Sequence, residues 1–431
     1  MERTGTIGGV ARTATVAGQE VDLGGHRLLA ATVSQRQAWL DLAKRLGGVE
    51  LCDVGRRSGI LRDGYVVRYP FDWEEFRRTA PWRVRARAAS SVLLQRIKGP
   101  AEGDDRSLGD WVTQRYGPYL AARYMHSHAR KIFGVEPRDI PGKWATQRIA
   151  SPHTGSILAT VLPALTSAPV RDETADGFLY PRGGLTALWS GYAESIGSRA
   201  RWLFDSQVES IARPRNGRTR VVVSSPDGTS VFSCRRVIWT GRPEDLAASV
   251  GLAALSASIS GQSRRRDLVV GVVRVSGMPK AWERFQWVYT HDPGVVAHRF
   301  HNYDQWQCLR CAKGIIGLEY SVDSGHSFDA QAHVPADMSV LLKNVPVQFL
   351  GSMVVKDAYS NFDATAAELA VLDHALRDFG PGIVSTGRQG AGVYINLNQA
   401  LELGAHVAGE PDSRSGVVGQ CEYSSYQEQA S

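Results

Sequence analysis

The chain has 431 residues, 43% of them hydrophobic and 22% charged, an ordinary globular composition that excludes wholesale disorder and allows two or three folded units. Its 44 glycines and 19 prolines follow no period, which excludes collagen and low-complexity filaments. Lys and Arg (50) exceed Asp and Glu (43), but the arginines are scattered without a groove-reading motif, so no nucleic-acid partner is expected.

From the N-terminus, Met1–Gly5 has no apolar signal region, so a cytoplasmic chain is expected. Thr13 to Asp22 reads as a hairpin turning at Ala17-Gly18, and Ser34 to Gly47 as an amphipathic helix with Ser34 as its N-cap. Residues 72 to 150 read as mostly helical: Asp72–Thr79, Ala88–Lys98, Ser107–Tyr116 and Tyr119–Phe133, with Ser107-Leu-Gly-Asp110 as a capping box. The longest apolar run, Ile157 to Val170, holds two prolines and is too short to span a bilayer. A helix follows at Leu185–Ile196, then a meander over 207–240 with a turn at Pro226-Asp227-Gly228. Further strands are expected at Leu268–Val275, Trp287–His291, Val296–Phe300 and Ile315–Tyr320. The helix Ala364–Asp378, the strand Ile383–Thr386 and a helix over 398–407 close the pattern, before a polar tail that reads as flexible over 411–431.

Five cysteines, an odd number without a signal sequence, point to reduced thiols. Cys308-Leu-Arg-Cys311 has the spacing of a redox pair or half a zinc site, with His298 and His301 nearby. No second pair exists, so no metal is expected, and the two cysteines read as small residues entering the strand that follows.

Four glycine-bearing segments bring main chain close to something. Gly8-Gly9-Val-Ala-Arg12-Thr13 and Asp22-Leu-Gly24-Gly25-His26-Arg27 flank the hairpin and let amides face a flat or phosphorylated ligand. Tyr180-Pro-Arg182-Gly183-Gly184 runs into a helix N-terminus, where anions are favoured. Val237-Ile-Trp-Thr240-Gly241 ends a strand in a turn. Gly387-Arg388-Gln-Gly390-Ala-Gly392-Val-Tyr394-Ile-Asn396-Leu-Asn398-Gln399 feeds a last helix.

In this order, the segments resemble the FAD-dependent amine-oxidoreductase superfamily, and within it the UDP-galactopyranose mutase-like and protoporphyrinogen oxidase-like branch. The match extends to Ser107, Asp110-Trp111-Val112, Tyr116-Gly117 and Gly134, to Lys143-Trp144-Ala145-Thr146-Gln147-Arg148-Ile149, and to His291-Asp292-Pro293, Arg299, Asn302 and Gly317-Leu318-Glu319-Tyr320. It implies a mixed α/β fold: a Rossmann-like FAD-binding domain, discontinuous over 1–71, 190–265 and 346–410, with a helical and antiparallel-sheet substrate domain over 72–189 and 266–345. The cofactor implied is FAD, contacted by Glu2, Arg3, Gly8, Gly9, Arg12, Gly24, Gly25, Val208, Gly387, Arg388, Tyr394, Asn396 and Asn398. His26 and Arg27 fall at the catalytic edge, and Arg148, Tyr180, Arg182 and Arg299 at the substrate. The activity implied is oxidation of a small molecule, sugars and nucleotide-sugars among the candidates, with flavin N5 as the reactive centre. The alternatives are a sugar ring mutase and a non-catalytic homologue that no longer binds FAD by itself.

Three departures stand out. The fingerprint G-x-G-x-x-G occurs nowhere in the sequence, and Met1-Glu2-Arg3 falls where its βαβ unit would be ending, which makes the chain look short by about thirty residues. Gly59 stands where the family pattern has an Arg, and Asn398 where it has an Asp.

Overall fold

The computed structural model describes residues 1–30, 32–69, 71–98, 107–142, 177–306, 308–343, 345–360, 366–380, 382–409 and 415–417. They fall into two compact units, Met1–Gly9 with Trp189–Arg265 and Ser360–Ser431, and Val10–Leu188 with Arg266–Tyr359. The stretch 10–71, which the motif resemblance assigns to the cofactor domain, clusters in the second unit.

In the first unit, the meander is formed by Gln207–Arg215, Arg218–Ser225 and Gly228–Cys234. Asn216 and Gly217 both take the left-handed conformation that a two-residue hairpin turn requires. Alternation along these strands buries Ile211, Val221 and Val223 against Leu246, Ile259, Leu369, Leu372 and Leu376, the apolar faces of three helices. Beside it lies a parallel sheet in the order Val237–Trp239, Ile383–Ser385, Gly416–Val417. The last strand falls inside the stretch that reads as a loose tail. It is pinned because Val417 N–H donates to Oδ1 of Asp373 (2.6 Å) and Ile383 N–H donates to Oγ of Ser415 (3.2 Å).

The second unit is built on a seven-stranded sheet in the order Val347–Ser360, Arg265–Val275, Ile315–Asp323, Arg299–Asn302, Trp287–Thr290, Ser58–Arg62, Tyr65–Tyr69. One cluster beneath it joins Val269, Val273, Phe300 and Leu318 to Val334 and Met338 of the helix Ala330–Leu341. Another joins Ile60 and Val67 to the helices Trp73–Thr79, Trp82–Lys98 and Leu108–Leu120. Gly59 lies inside the sheet, where an added Cβ would come 2.5 Å from Val66 and 3.3 Å from Phe285. The room an Arg would need there is already filled.

Local signals held where they were chemical. Ser107 caps Leu108–Leu120 by accepting from Asp110 N–H (3.1 Å), and Ala17 and Gly18 make the left-handed hairpin turn. The first long helix runs Val33–Arg45 and is capped by Thr32 rather than Ser34, its hydroxyl accepting from Gln35 N–H. The cysteine reading is corrected: Cys52 and Cys308 are joined in a disulfide 256 residues apart in sequence, while Cys234 and Cys311 are free and half-buried. Cys308 is thus partnered by a distant residue that no local spacing reveals, not by Cys311. Among the described residues no helix is long and apolar enough to cross a membrane, and no group of three His, Cys, Asp or Glu is placed to hold a metal ion.

Candidate active site

The hairpin Thr13–Asp22 is held on both sides. Glu20 N–H donates to Arg310 O, Arg310 N–H to Glu20 Oε2 and Ala312 N–H to Gln19 Oε1. At its start, Thr13 Oγ1 accepts from Leu185 N–H (2.9 Å) and Thr186 Oγ1 accepts from Thr13 N–H (3.1 Å). At the helix N-terminus beginning at Gly184, the Leu185 amide is thus capped from within by Thr13.

The hairpin delivers Asp22 into the interior, where Tyr303 O–H donates to its carbonyl (2.9 Å). The chain then passes through Gly24 and Gly25. Gly24 has φ +132, and a Cβ there would lie 2.9 Å from the His26 ring; one at Gly25 would lie 3.0 Å from Nη1 of Arg299 and 3.7 Å from Cε1 of His301. The glycine pair thus lets main chain settle directly on Arg299 and His301. His26 Nδ1 stands 3.5 Å from Asp22 Oδ2, and neither atom has a hydrogen-bond partner among the described residues. The Arg27 guanidinium lies over the Trp287 ring at 5.2 Å.

Beneath Gly25 is a network centred on Glu319. Arg299 and Glu319 are register partners on adjacent antiparallel strands, and alternation puts His301 on the same face as Arg299. Arg299 donates from Nε (2.9 Å) and Nη2 (2.5 Å) to Oε2, and His301 Nε2 meets Oε1 at 2.5 Å. His298 Nε2 stands 3.8 Å from Oε2. Burial alone would raise the Glu319 carboxyl, but Arg299 and the histidines outweigh it and hold it far below the usual carboxylate range. Burial pushes His298 down to about 3 and lowers His301, only partly opposed by Glu319. A stacked pair, half-buried His128 and buried His291 (4.7 Å between ring centres), adjoins His298, and desolvation drives both well below the ordinary imidazole value.

Of the expected substrate residues, Arg299 lies in this network and Tyr180 is packed beside it, its hydroxyl 3.4 Å from Thr13 Oγ1 and its ring against Trp306. Arg182 is exposed and held in a two-pronged pair by Glu50, and Arg148 lies outside the described residues. Arg12 is half-buried, and its carbonyl accepts from Leu23 N–H.

In the first unit, Glu2 pairs through its main chain with Leu203 and Ser206, and its carboxylate accepts from Thr4. Arg3 is paired with Asp245 at 2.5 Å. Gly8 and Gly9 take positive φ, and nothing lies within 4 Å of where a Gly9 Cβ would stand. Val208 is half-buried and packs on the meander core. The strands Val237–Trp239 and Ile383–Ser385 end side by side in the glycine turns Thr240-Gly241 and Thr386-Gly387, joined by Thr386 N–H donating to Trp239 O (2.8 Å). The Arg388 guanidinium lies 4.4 Å from the centre of the Tyr394 ring. Asn396 and Gln399 cap the helix Leu397–Gly409 reciprocally, each side chain accepting from the other's N–H, and Asn398 is buried in its first turn.

The sequence pointed to Arg299 as a site residue and to His298 and His301 only as neighbours of the cysteine pair; Asp22, Tyr303 and Glu319 were not singled out. The available signal was Arg299-x-His301 alternating on one strand with Gly317-x-Glu319 on another. Gly317 is needed because a Cβ there would lie 2.6 Å from the Tyr303 hydroxyl.

The chain is similar in structure to reduced UDP-galactopyranose mutase, with a TM-score of 0.75 at 18% identity, covering 95% of this chain and 89% of that one. It is also similar to a CLA-producing fatty acid isomerase from P. acnes (TM-score 0.55, 13% identity, 95% and 91% covered). An oxidoreductase from Methanosarcina mazei is similar too (TM-score 0.56, 12% identity, 95% and 93% covered). No protein-family model and no curated protein matches the sequence. What this chain shares with the three structures is the fold, and it is the mixed α/β fold that the motifs led one to expect.

Proposed function

We propose that this chain is an FAD-dependent oxidoreductase acting on a small molecule, with its chemistry at the Gly24–Arg27 segment. The observation that carries the reading is the seating of Gly25 on Arg299 and His301, both of which are held by Glu319. It makes a main-chain shelf whose position is fixed from below by a buried ionic network.

Two features fit FAD, each within one unit. In the second unit, the buried Asp22 Oδ2 and His26 Nδ1 carry unused hydrogen-bonding capacity beside the glycine pair. In the first, two parallel strands end together in glycine turns, the place where open parallel sheets take nucleotides. The residues of the second unit that would hold the cofactor are Gly24, Gly25 and Arg27. Bound FAD supplies reversible uptake of a hydride. For their part, His26 Nδ1 holds or passes a proton against Asp22, and Arg299 steadies negative charge at the shelf. Tyr180, Trp287 and Trp306 pack together around the network and keep water from it.

The substrate is a small molecule, with sugars and nucleotide-sugars as the candidate classes. A ring mutase acting on a nucleotide-sugar needs arginines for a diphosphate. Among the described residues, Arg182 is engaged by Glu50, which favours the oxidoreductase reading over the mutase one.

One observation favours a second reading, a homologue that no longer binds FAD by itself. The edge of Ile383–Ser385 away from Val237–Trp239, where a further parallel strand would pair, is taken by Gly416–Val417. Incubating the purified chain with FAD, removing the excess and adding dithionite separates the two. Retained flavin that bleaches near roughly 450 nm and recovers in air supports the oxidoreductase reading. A colourless protein overturns it in favour of the second.

A further inference from the structure

The helix Trp82–Lys98 in the second unit is buried on one side only. Ala88, Ser91 and Val92 face the bundle, and the helix cannot roll, because Ser91 Oγ accepts from Tyr119 N–H (3.0 Å) and stands 2.8 Å from where a Gly117 Cβ would be. The opposite side leaves large apolar residues in solvent: Trp82 is 67% exposed, Leu93 60%, Leu94 59% and Ile97 74%. At about 100° per residue, Trp82, Ala86, Leu93 and Ile97 fall within roughly 60° of one another, with Leu94 at the margin. Arg83, Arg87 and Lys98 follow along one border of this stripe, Arg85 and Arg96 along the other, and no acidic residue occurs between Trp82 and Lys98. The Arg83 guanidinium lies 5.5 Å from the centre of the Trp82 ring.

We propose that this helix seats the chain on an anionic lipid surface, its apolar stripe inserted between headgroups and its two cationic borders lying on phosphates and carboxylates. A bilayer interface is apolar beneath a plane of negative charge, which matches an apolar stripe with positive charge on both sides. A second copy of the chain would bring the same positive borders together, so charge disfavours self-association through this face.

Co-sedimentation of the full chain with phosphatidylcholine vesicles, with and without phosphatidylserine, tests the proposal. Sedimentation rises with phosphatidylserine and falls with added salt. Leu93→Ser with Ile97→Ser lowers partitioning by more than about tenfold. Arg83→Gln with Arg87→Gln lowers it roughly thirtyfold. All four positions are exposed, so the melting temperature stays where it was. No sedimentation above the phosphatidylcholine level, or equal sedimentation of wild type and variants, overturns the proposal. So does light scattering that shows a wild-type dimer split by the serine substitutions, since a second copy would then be the occupant.

Discussion

Arg299 and Glu319 face one another in register across two adjacent strands, and the main chain of Gly25 rests on the arginine of the pair. Glu319 is fully buried, while Arg299 keeps 15% of its side chain accessible. The carboxylate also holds His301, so a single acidic group organises the floor of the site.

Removing that acid has a defined cost. Glu319→Gln strands a largely buried guanidinium and lowers unfolding free energy by about 3–5 kcal/mol, whereas Arg299→Met with Glu319→Leu recovers most of the loss. Urea melts of the single and double variants check this. Equal destabilisation of both would mean that the side chains' shape, not their charge, carries the effect.

Acid weakens the second unit in two stages. His128, His291 and His298 have folded pKa values below the unfolded value of about 6.5, so the unfolded chain takes up protons first and stability falls as pH drops below that point. Three such imidazoles give a slope of up to about 4 kcal/mol per pH unit. The Glu319 carboxyl is shifted below its unfolded value of about 4.3, so its contribution is complete above that pH and is lost on going below it. Urea midpoints from pH 8 to pH 5 follow the first stage, and replacing His128 with Phe flattens the slope.

Gly59 shows why one departure from the family pattern is structural. Gly59→Ala pushes a methyl into Val66 and Phe285 and costs about 1–3 kcal/mol, and Gly59→Arg, which restores the pattern, abolishes folding. Thermal melts and soluble yield report the two outcomes.

The Cys52–Cys308 bond closes a long loop. Reduction, or Cys52→Ser, lowers stability by about 2–5 kcal/mol. The melting temperature of the wild type drops with reductant and that of the variant does not change.

Much of this was legible in the sequence, and the remainder has a physical cause. The hairpin at Ala17-Gly18, the capping box at Ser107 and the meander turn at Gly228 are local chemistry, readable within four residues. The strands Ser58–Arg62, Tyr65–Tyr69 and Val347–Ser360 were missed because buried or edge strands of a mixed sheet show little clean alternation. The partner of Cys308 and the histidines around Glu319 depend on strand register, a long-range property that residue spacing does not encode. The pairing of Arg182, expected at the substrate, with Glu50, 132 residues away in sequence, is likewise a long-range contact.

FAD titration of wild type beside Gly25→Val, followed by flavin fluorescence, tests the central claim most directly. The variant's branched side chain would press on Arg299 and lift the shelf, so saturable binding by the wild type and at least a tenfold weaker Kd for a folded Gly25→Val, roughly 1.4 kcal/mol, are the expected results. Equal affinity in the two proteins, or no binding by either, would contradict the account.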